Sequence, residues 1–263
     1  MASLRNKKGI GILVAIIIVL MVIFVLFIIT GLLSSLSSES AKETACRSSV
    51  LKNYVGRSAL SFNDAVLQCE SKDISIKKDG IYVNGKKQVS YKGLSEQEAK
   101  NKTMKILADE MAKCWNMFLE GNIEYMRVLA GSKVLCNVCA KITVKDTPFK
   151  EITFEEFMDF LAENEIKDKR ISYFKYLYPD VDYDKHKMMN ALITFSIKLY
   201  GQAPIISIDK IDREEFNIKT NGNYYLVFTA MEGSLFRTLK HHESYVMIAP
   251  TRFLINGCSL LYG

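Results

Sequence analysis

From Gly9 to Leu33 the chain reads GIGILVAIIIVLMVIFVLFIITGLL, without a single charged side chain. A stretch this apolar cannot sit among water-exposed elements, so it limits what the rest of the chain can be. A helix rises about 1.5 Å per residue, which gives this segment a length of roughly 37 Å. The hydrocarbon core of a bilayer is ~30 Å thick. The expectation is a transmembrane helix over 9–33, long enough to tilt. A cleaved signal peptide would need an apolar region of only about 7–15 residues, so the length favours an anchor that is retained.

Orientation follows from the flanks. Residues 1–8 carry Arg5, Lys7 and Lys8 and no acid, whereas Ser34–Ser38 is uncharged and is followed by Glu39, Lys42 and Glu43. Basic residues beside a first span stay on the cytoplasmic side. The chain is therefore expected to have a cytoplasmic tail at 1–8, the helix at 9–33, a juxtamembrane linker at 34–44 and an extracytoplasmic domain at 45–263, held close to the bilayer. Lys8-Gly9 before an apolar helix is also how type IV pilin-like subunits begin. Those usually place a Glu early in the helix, and this run has no acid.

The tail accounts for three of the 35 basic residues and none of the 29 acidic ones. The part from Glu39 onward therefore carries 32 basic against 29 acidic residues, a net +3. No basic block of the kind that binds nucleic acid occurs, and no nucleic-acid partner is expected. About 225 residues suffice for a sizeable core. No internal repeat is evident.

All six cysteines, Cys46, Cys69, Cys114, Cys136, Cys139 and Cys258, follow the apolar run. On an oxidising face of a membrane an even number reads as up to three disulfides, with fifteen pairings open. Cys136-Asn137-Val138-Cys139 is a CxxC. A zinc site would need a second pair, and elsewhere only His186, His241 and His242 exist. A redox pair should open a helix, yet this one runs into Ala140-Lys141-Ile142-Thr143-Val144, which reads as a strand. Two half-cystines with separate partners fit best, because residues three apart on a strand face opposite ways. Cys114 should pair with Cys136 or Cys139, and the remaining cysteine with Cys46, Cys69 or Cys258.

Element signals are strongest around one helix. Ser95 and Glu98 form a capping box, and Met104, Leu107, Met111, Cys114, Trp115 and Phe118 recur at helical spacing up to Gly121. A second boxed helix is expected from Thr153 and Glu156 over Phe154–Asn164, and another helix over 40–54. Asn63 to Cys69 reads as a short helical turn. Strands are expected around Ile74–Ile76, Ile81–Val83 and Gln88–Tyr91, with Asn84-Gly85 as the hairpin turn. Further strands are expected over Val134–Val144, Ile193–Leu199, Pro204–Asp209, Tyr224–Ala230 and Ser244–Ile248. Helices first and mostly strands later predict an α+β domain with a long helix on an antiparallel sheet.

Catalytic signatures are absent: no HExxH, GxSxG, Walker loop or nucleotide-binding glycine motif occurs. Asp180, Asp182 and Asp184 open like a calcium loop, but Lys185 and Ala191 stand where Gly and Glu are needed. His241 and His242 would point to opposite faces of an extended segment. No metal, cofactor or catalytic pair is nominated. Asn101-Lys102-Thr103 is a glycosylation sequon, with Asn101 on the polar side of the long helix.

The series Ala108-Asp109-Glu110-Met111-Ala112-Lys113-Cys114-Trp115, Glu120-Gly121 and Cys136-Asn137-Val138-Cys139 resembles a pattern in single-span, cysteine-containing membrane proteins of small-genome archaea. The resemblance covers residues 104 to 144. It implies a common anchor, helix and CxxC strand, and no assigned activity.

These observations together lead to the expectation of a non-catalytic, membrane-anchored domain for surface interaction or envelope structure. Its expected partners are the lipid bilayer and an envelope or surface protein. The competing readings are an envelope enzyme or thiol–disulfide accessory acting through Cys136 and Cys139, and a pilin-like subunit.

Overall fold

The computed structural model describes residues 17–25, 38–58, 67–121, 134–179, 213–231, 244–251 and 260–262. The chain divides into two compact units, Met1–Lys42 and Glu43–Gly263. In the first, residues 17–25 are helical, and their side chains from Ile17 to Val25 are 49–65% exposed. Among the described residues no helix is long and apolar enough to cross a membrane. The remainder of the apolar run, with Arg5, Lys7 and Lys8, lies outside them.

The second unit is α+β. Its helices are α1 (Ser38–Ser58, which begins in the first unit), α2 (Glu96–Met117), α3 (Phe154–Glu163) and α4 (Tyr173–Leu177). Its strands are β1 (Lys72–Lys77), β2 (Gly80–Val83), β3 (Lys86–Ser90), β4 (Val134–Lys145), β5 (Glu151–Ile152), β6 (Ile218–Lys219), β7 (Asn223–Met231), β8 (Ser244–Pro250) and β9 (Leu260–Tyr262). Seven strands form one sheet in the order β3-β2-β1-β4-β7-β8, with β9 beside the start of β4, while β5 and β6 pair separately.

The expected hairpin is present. Asn84 and Gly85 have φ of 48° and 75°, the left-handed pair that a tight two-residue turn requires. Both capping boxes form, at Ser95/Glu98 and Thr153/Glu156. The predicted strands at 134–144, 224–230 and 244–248 are observed, each slightly longer. Residues 67–69, the described end of the expected turn at 63–69, are not helical. The expected strands at 193–199 and 204–209 lie outside the described residues.

The sheet departs from expectation, being mixed rather than antiparallel. β1 runs parallel to β4 from Lys72↔Ala140 to Lys77↔Lys145, and β9 runs parallel to β4 from Leu135↔Leu260 to Asn137↔Tyr262. The cause is α2. A chain that leaves a sheet through a long helix returns at the end it started from, so the next strand lies parallel to the first.

Helix α2 supplies the core of the sheet's inner face. Leu107, Met111, Cys114 and Phe118 are essentially unexposed, as the stripe predicts. Phe118 stacks on Phe228 of β7 at 4.3 Å between ring centroids. The helix ends in a left-handed turn, with φ of 55° at Leu119, 56° at Glu120 and 73° at Gly121. Only glycine suits the last position, since a Cβ on Gly121 would lie 2.4 Å from the Trp115 ring. The free edge of β8 is capped where the Tyr178 hydroxyl donates to the Val246 carbonyl at 2.7 Å. Burial pushes that phenol's pKa strongly upward, so it stays a donor.

Candidate functional site

The chemistry-bearing residues gather at the junction of α2, β4 and α1. In β4 the register shifts between Val138 and Ala140 against β7, a β-bulge. Before the bulge, Cys136 and Val138 face outward, packing with Val227, Met247 and Ala249. After it, Ala140, Ile142 and Val144 face the helix and join the main core with Cys139. One extra residue thus reverses the alternation along the strand.

That reversal determines the fate of the CxxC. Cys139 bonds Cys114 of α2, with Cα atoms 5.9 Å apart, and Cys46 of α1 bonds Cys69, at 4.5 Å. Cys114 thus takes one of its two expected partners. Cys136 is also disulfide-bonded, and no described cysteine is free. The two cysteines of the CxxC are not joined to each other, so the pair has no exchangeable dithiol of its own. Cys258 lies outside the described residues.

Around the first bridge lies an ion network. Lys72 Nζ is 2.8 Å from Glu43 Oε1 and 2.8 Å from Glu110 Oε2, and Glu110 Oε1 is 2.6 Å from Lys113 Nζ. Lys72 is 8% and Glu110 5% exposed. Arg47 donates to Asn116 one helical turn further on. Helix α1 is therefore tied by one covalent bond to the segment just before β1, and by polar contacts to β1 and α2. Each buried charge meets its opposite, the condition under which desolvation is tolerated. This is the arrangement of a clamp. Sequence periodicity did not flag Lys72 or Glu110, because charged residues normally read as solvated.

Further polar clusters brace α2 from outside. Tyr173 donates to Asp109 and accepts from Lys105. Glu120 accepts from Lys169 at 3.0 Å and from Tyr176 at 2.9 Å. Burial pushes the Glu120 carboxyl up, but these two donors outweigh it and hold it below the usual carboxylate range. Asn101 is exposed on α2, but Thr103 of its sequon is fully buried. Its hydroxyl donates to the Ala99 carbonyl and lies 2.5 Å from the Tyr91 hydroxyl, whose pKa burial pushes up to about 12.

Asn137 is the exception to this satisfied pattern. It is 2% exposed, it pairs in register with Phe228 on the inner face, and neither Oδ1 nor Nδ2 has a hydrogen-bond partner. An open groove of about 780 Å³ lies by β5 and β6. It mixes Lys150 and Lys219 with Glu151, Glu155 and Glu214, and its Asn217 is engaged by the Phe154 amide at 2.9 Å. Among the described residues no serine, cysteine or histidine lines it.

Among the described residues no group of three or more histidines, cysteines or acids is placed to hold a metal. Asp180, Asp182, Asp184, His186, His241 and His242 lie outside them. No family model matches the chain, and no curated protein and no solved structure matches it.

Proposed function

We propose that this chain is a membrane-anchored extracytoplasmic domain that serves surface interaction or envelope structure rather than catalysis. The observation that carries the reading is the pairing of Cys46 with Cys69 and Cys114 with Cys139. Such bonds persist in oxidising compartments and are rare in the cytosol. The uncharged run over 9–33 and the basic residues Arg5, Lys7 and Lys8 support an anchor with its N-terminus inside. Cys258 is the one cysteine left in the sequence for Cys136, and we assign it that partner. A thiol–disulfide enzyme would need Cys136 and Cys139 as an exchangeable pair, and Cys139 is committed to Cys114. The archaeal resemblance over 104–144 and the pilin-like reading add nothing to this basis. Mass spectrometry that finds the N-terminal residues intact would argue against the latter.

The test is protease added outside intact cells. The domain should be degraded while the tail survives, and alkaline carbonate should not extract the protein. Protection of the domain until the membrane is permeabilised, or a soluble mature form starting near residues 35–40, overturns the reading.

A further inference from the structure

Helix α2 covers one face of the sheet. The opposite face of the half built from β3, β2, β1 and β4 is open, and the register fixes what it presents. Lys87↔Tyr82, Tyr82↔Ser75, Ser75↔Thr143 and Thr143↔Asn223 form one continuous row across five strands. The neighbouring row sets Lys77 directly opposite Lys145, and the row beyond places Lys141 between Asp73 and Tyr225. Lys77, Lys87, Lys141, Thr143, Lys145 and Asn223 are exposed, and Ser75 and Tyr82 are half-buried.

Two features mark this face as more than a solvated surface. First, Lys77 and Lys145 are cross-strand neighbours of like charge, an arrangement that costs stability. Neither makes an ion pair among the described residues. Second, the ammonium groups of Lys77 and Lys87 converge on one ring, 5.1 Å and 5.5 Å from the Tyr82 centroid. The acids nearby are few. Asp79 is taken by Lys87 at 2.7 Å and by Tyr82 at 2.5 Å, Asp73 lies opposite Lys141, and Asp146 follows Lys145. The exposed Lys78, Lys86 and Lys92 extend the positive field around the rim. Among the described residues, seven lysines face three aspartates here, a local excess of positive charge.

We propose that this face binds an acidic polysaccharide laid across the strands, a partner for the extracytoplasmic reading on which the idea rests. Charge complementarity selects a polyanion. The row between the lysines selects the kind: Ser75, Thr143 and Asn223 are hydrogen-bonding side chains without a side-chain partner among the described residues, suited to sugar hydroxyls. No large exposed hydrophobic residue lies on this face among the described residues, so nothing there would enter a bilayer. The row crosses the strands. An acidic peptide added as a strand would instead use the backbone of the β3 edge.

The test uses the full chain in neutral detergent, with polygalacturonate as probe, neutral dextran as control, and vesicles containing phosphatidylglycerol as a separate arm. Polygalacturonate should bind at low salt and be released as salt rises, because exposed charges are screened. Replacing Lys77 and Lys145 together by Gln should weaken binding about tenfold. Replacing Lys52 and Lys167 by Gln should not, and unchanged thermal melting should accompany both. Equal binding of dextran, equal loss in the control pair, or binding to vesicles but not to polymer overturns the proposal. Binding to the purified chain does not depend on topology, so a failure here is distinct from a failure of the protease test.

Discussion

Removing the Cys114–Cys139 bridge by replacing both residues with Ala should destabilise the domain without changing its fold. The bond closes a loop with a sequence separation of 25 residues. Loop-closure entropy for that length gives about 3.5 kcal/mol at room temperature. Net stability is only ~5–15 kcal/mol for a typical domain, so the variant should stay folded with a much reduced margin. With a urea m-value of ~3 kcal/mol/M, the midpoint should fall by about 1 M. Trp115 is the only tryptophan in the sequence and is buried beside Cys114, so its fluorescence reads the transition directly. The Cys46–Cys69 bridge, with a separation of 23, provides an internal comparison. Loop entropy predicts nearly equal losses for the two. A larger loss at Cys114–Cys139 measures the packing of its sulfurs between α2 and β4. A midpoint shift below about 0.3 M at unchanged m would refute the entropic reasoning. A reactive thiol at either position in unreduced, denatured protein would refute the pairing itself.

Three other outcomes are expected. Lys72→Met leaves Glu110 buried without its inner partner and should cost about 3–5 kcal/mol, read as a urea midpoint, with recovery when Glu110→Leu is added. A single variant within 1 kcal/mol of the parent would show that the network is solvated. Asn137→Leu removes two unsatisfied polar atoms and should be neutral or stabilising by about 1–3 kcal/mol; a clear loss in melting temperature would reveal a bound partner of that amide. The carboxyls of Glu120 and Glu156 are held low, burial opposing and hydrogen bonds to Lys169 and Tyr176, and to Thr153 and Lys100, prevailing. A depressed folded pKa gives stability that is present above the unfolded value and is lost as pH falls through the folded one. The urea midpoint should therefore drop from about pH 4.5 downward, and Glu120→Gln should flatten part of that drop.

Local signals carried the α2 helix, its capping box, its buried stripe and the Asn84-Gly85 turn, because each is fixed by a few neighbouring residues. The parallel pairing of β1 with β4 was not legible. It depends on where α2 returns the chain, a long-range property with no residue of its own. The same limit applies to the ion network, where Glu43, Lys72 and Glu110 become one cluster only after α1, β1 and α2 have packed. The CxxC lies between these cases. Sequence spacing correctly argued against a bridge between Cys136 and Cys139, on the ground that residues three apart on a strand face opposite ways. In a regular strand, however, that alternation would also have put Ala140, Ile142 and Val144 on the side of Cys136, away from the helix. The bulge after Val138 resolves the conflict by letting Cys139 and the three apolar residues share the inner face. Without it, β4 could bury either its disulfide or its apolar run against α2, but not both. The disulfide and the bulge are thus one device: deleting Cys139 would regularise the strand with Ala140, Ile142 and Val144 still facing α2, and the domain would lose only the bridge to Cys114.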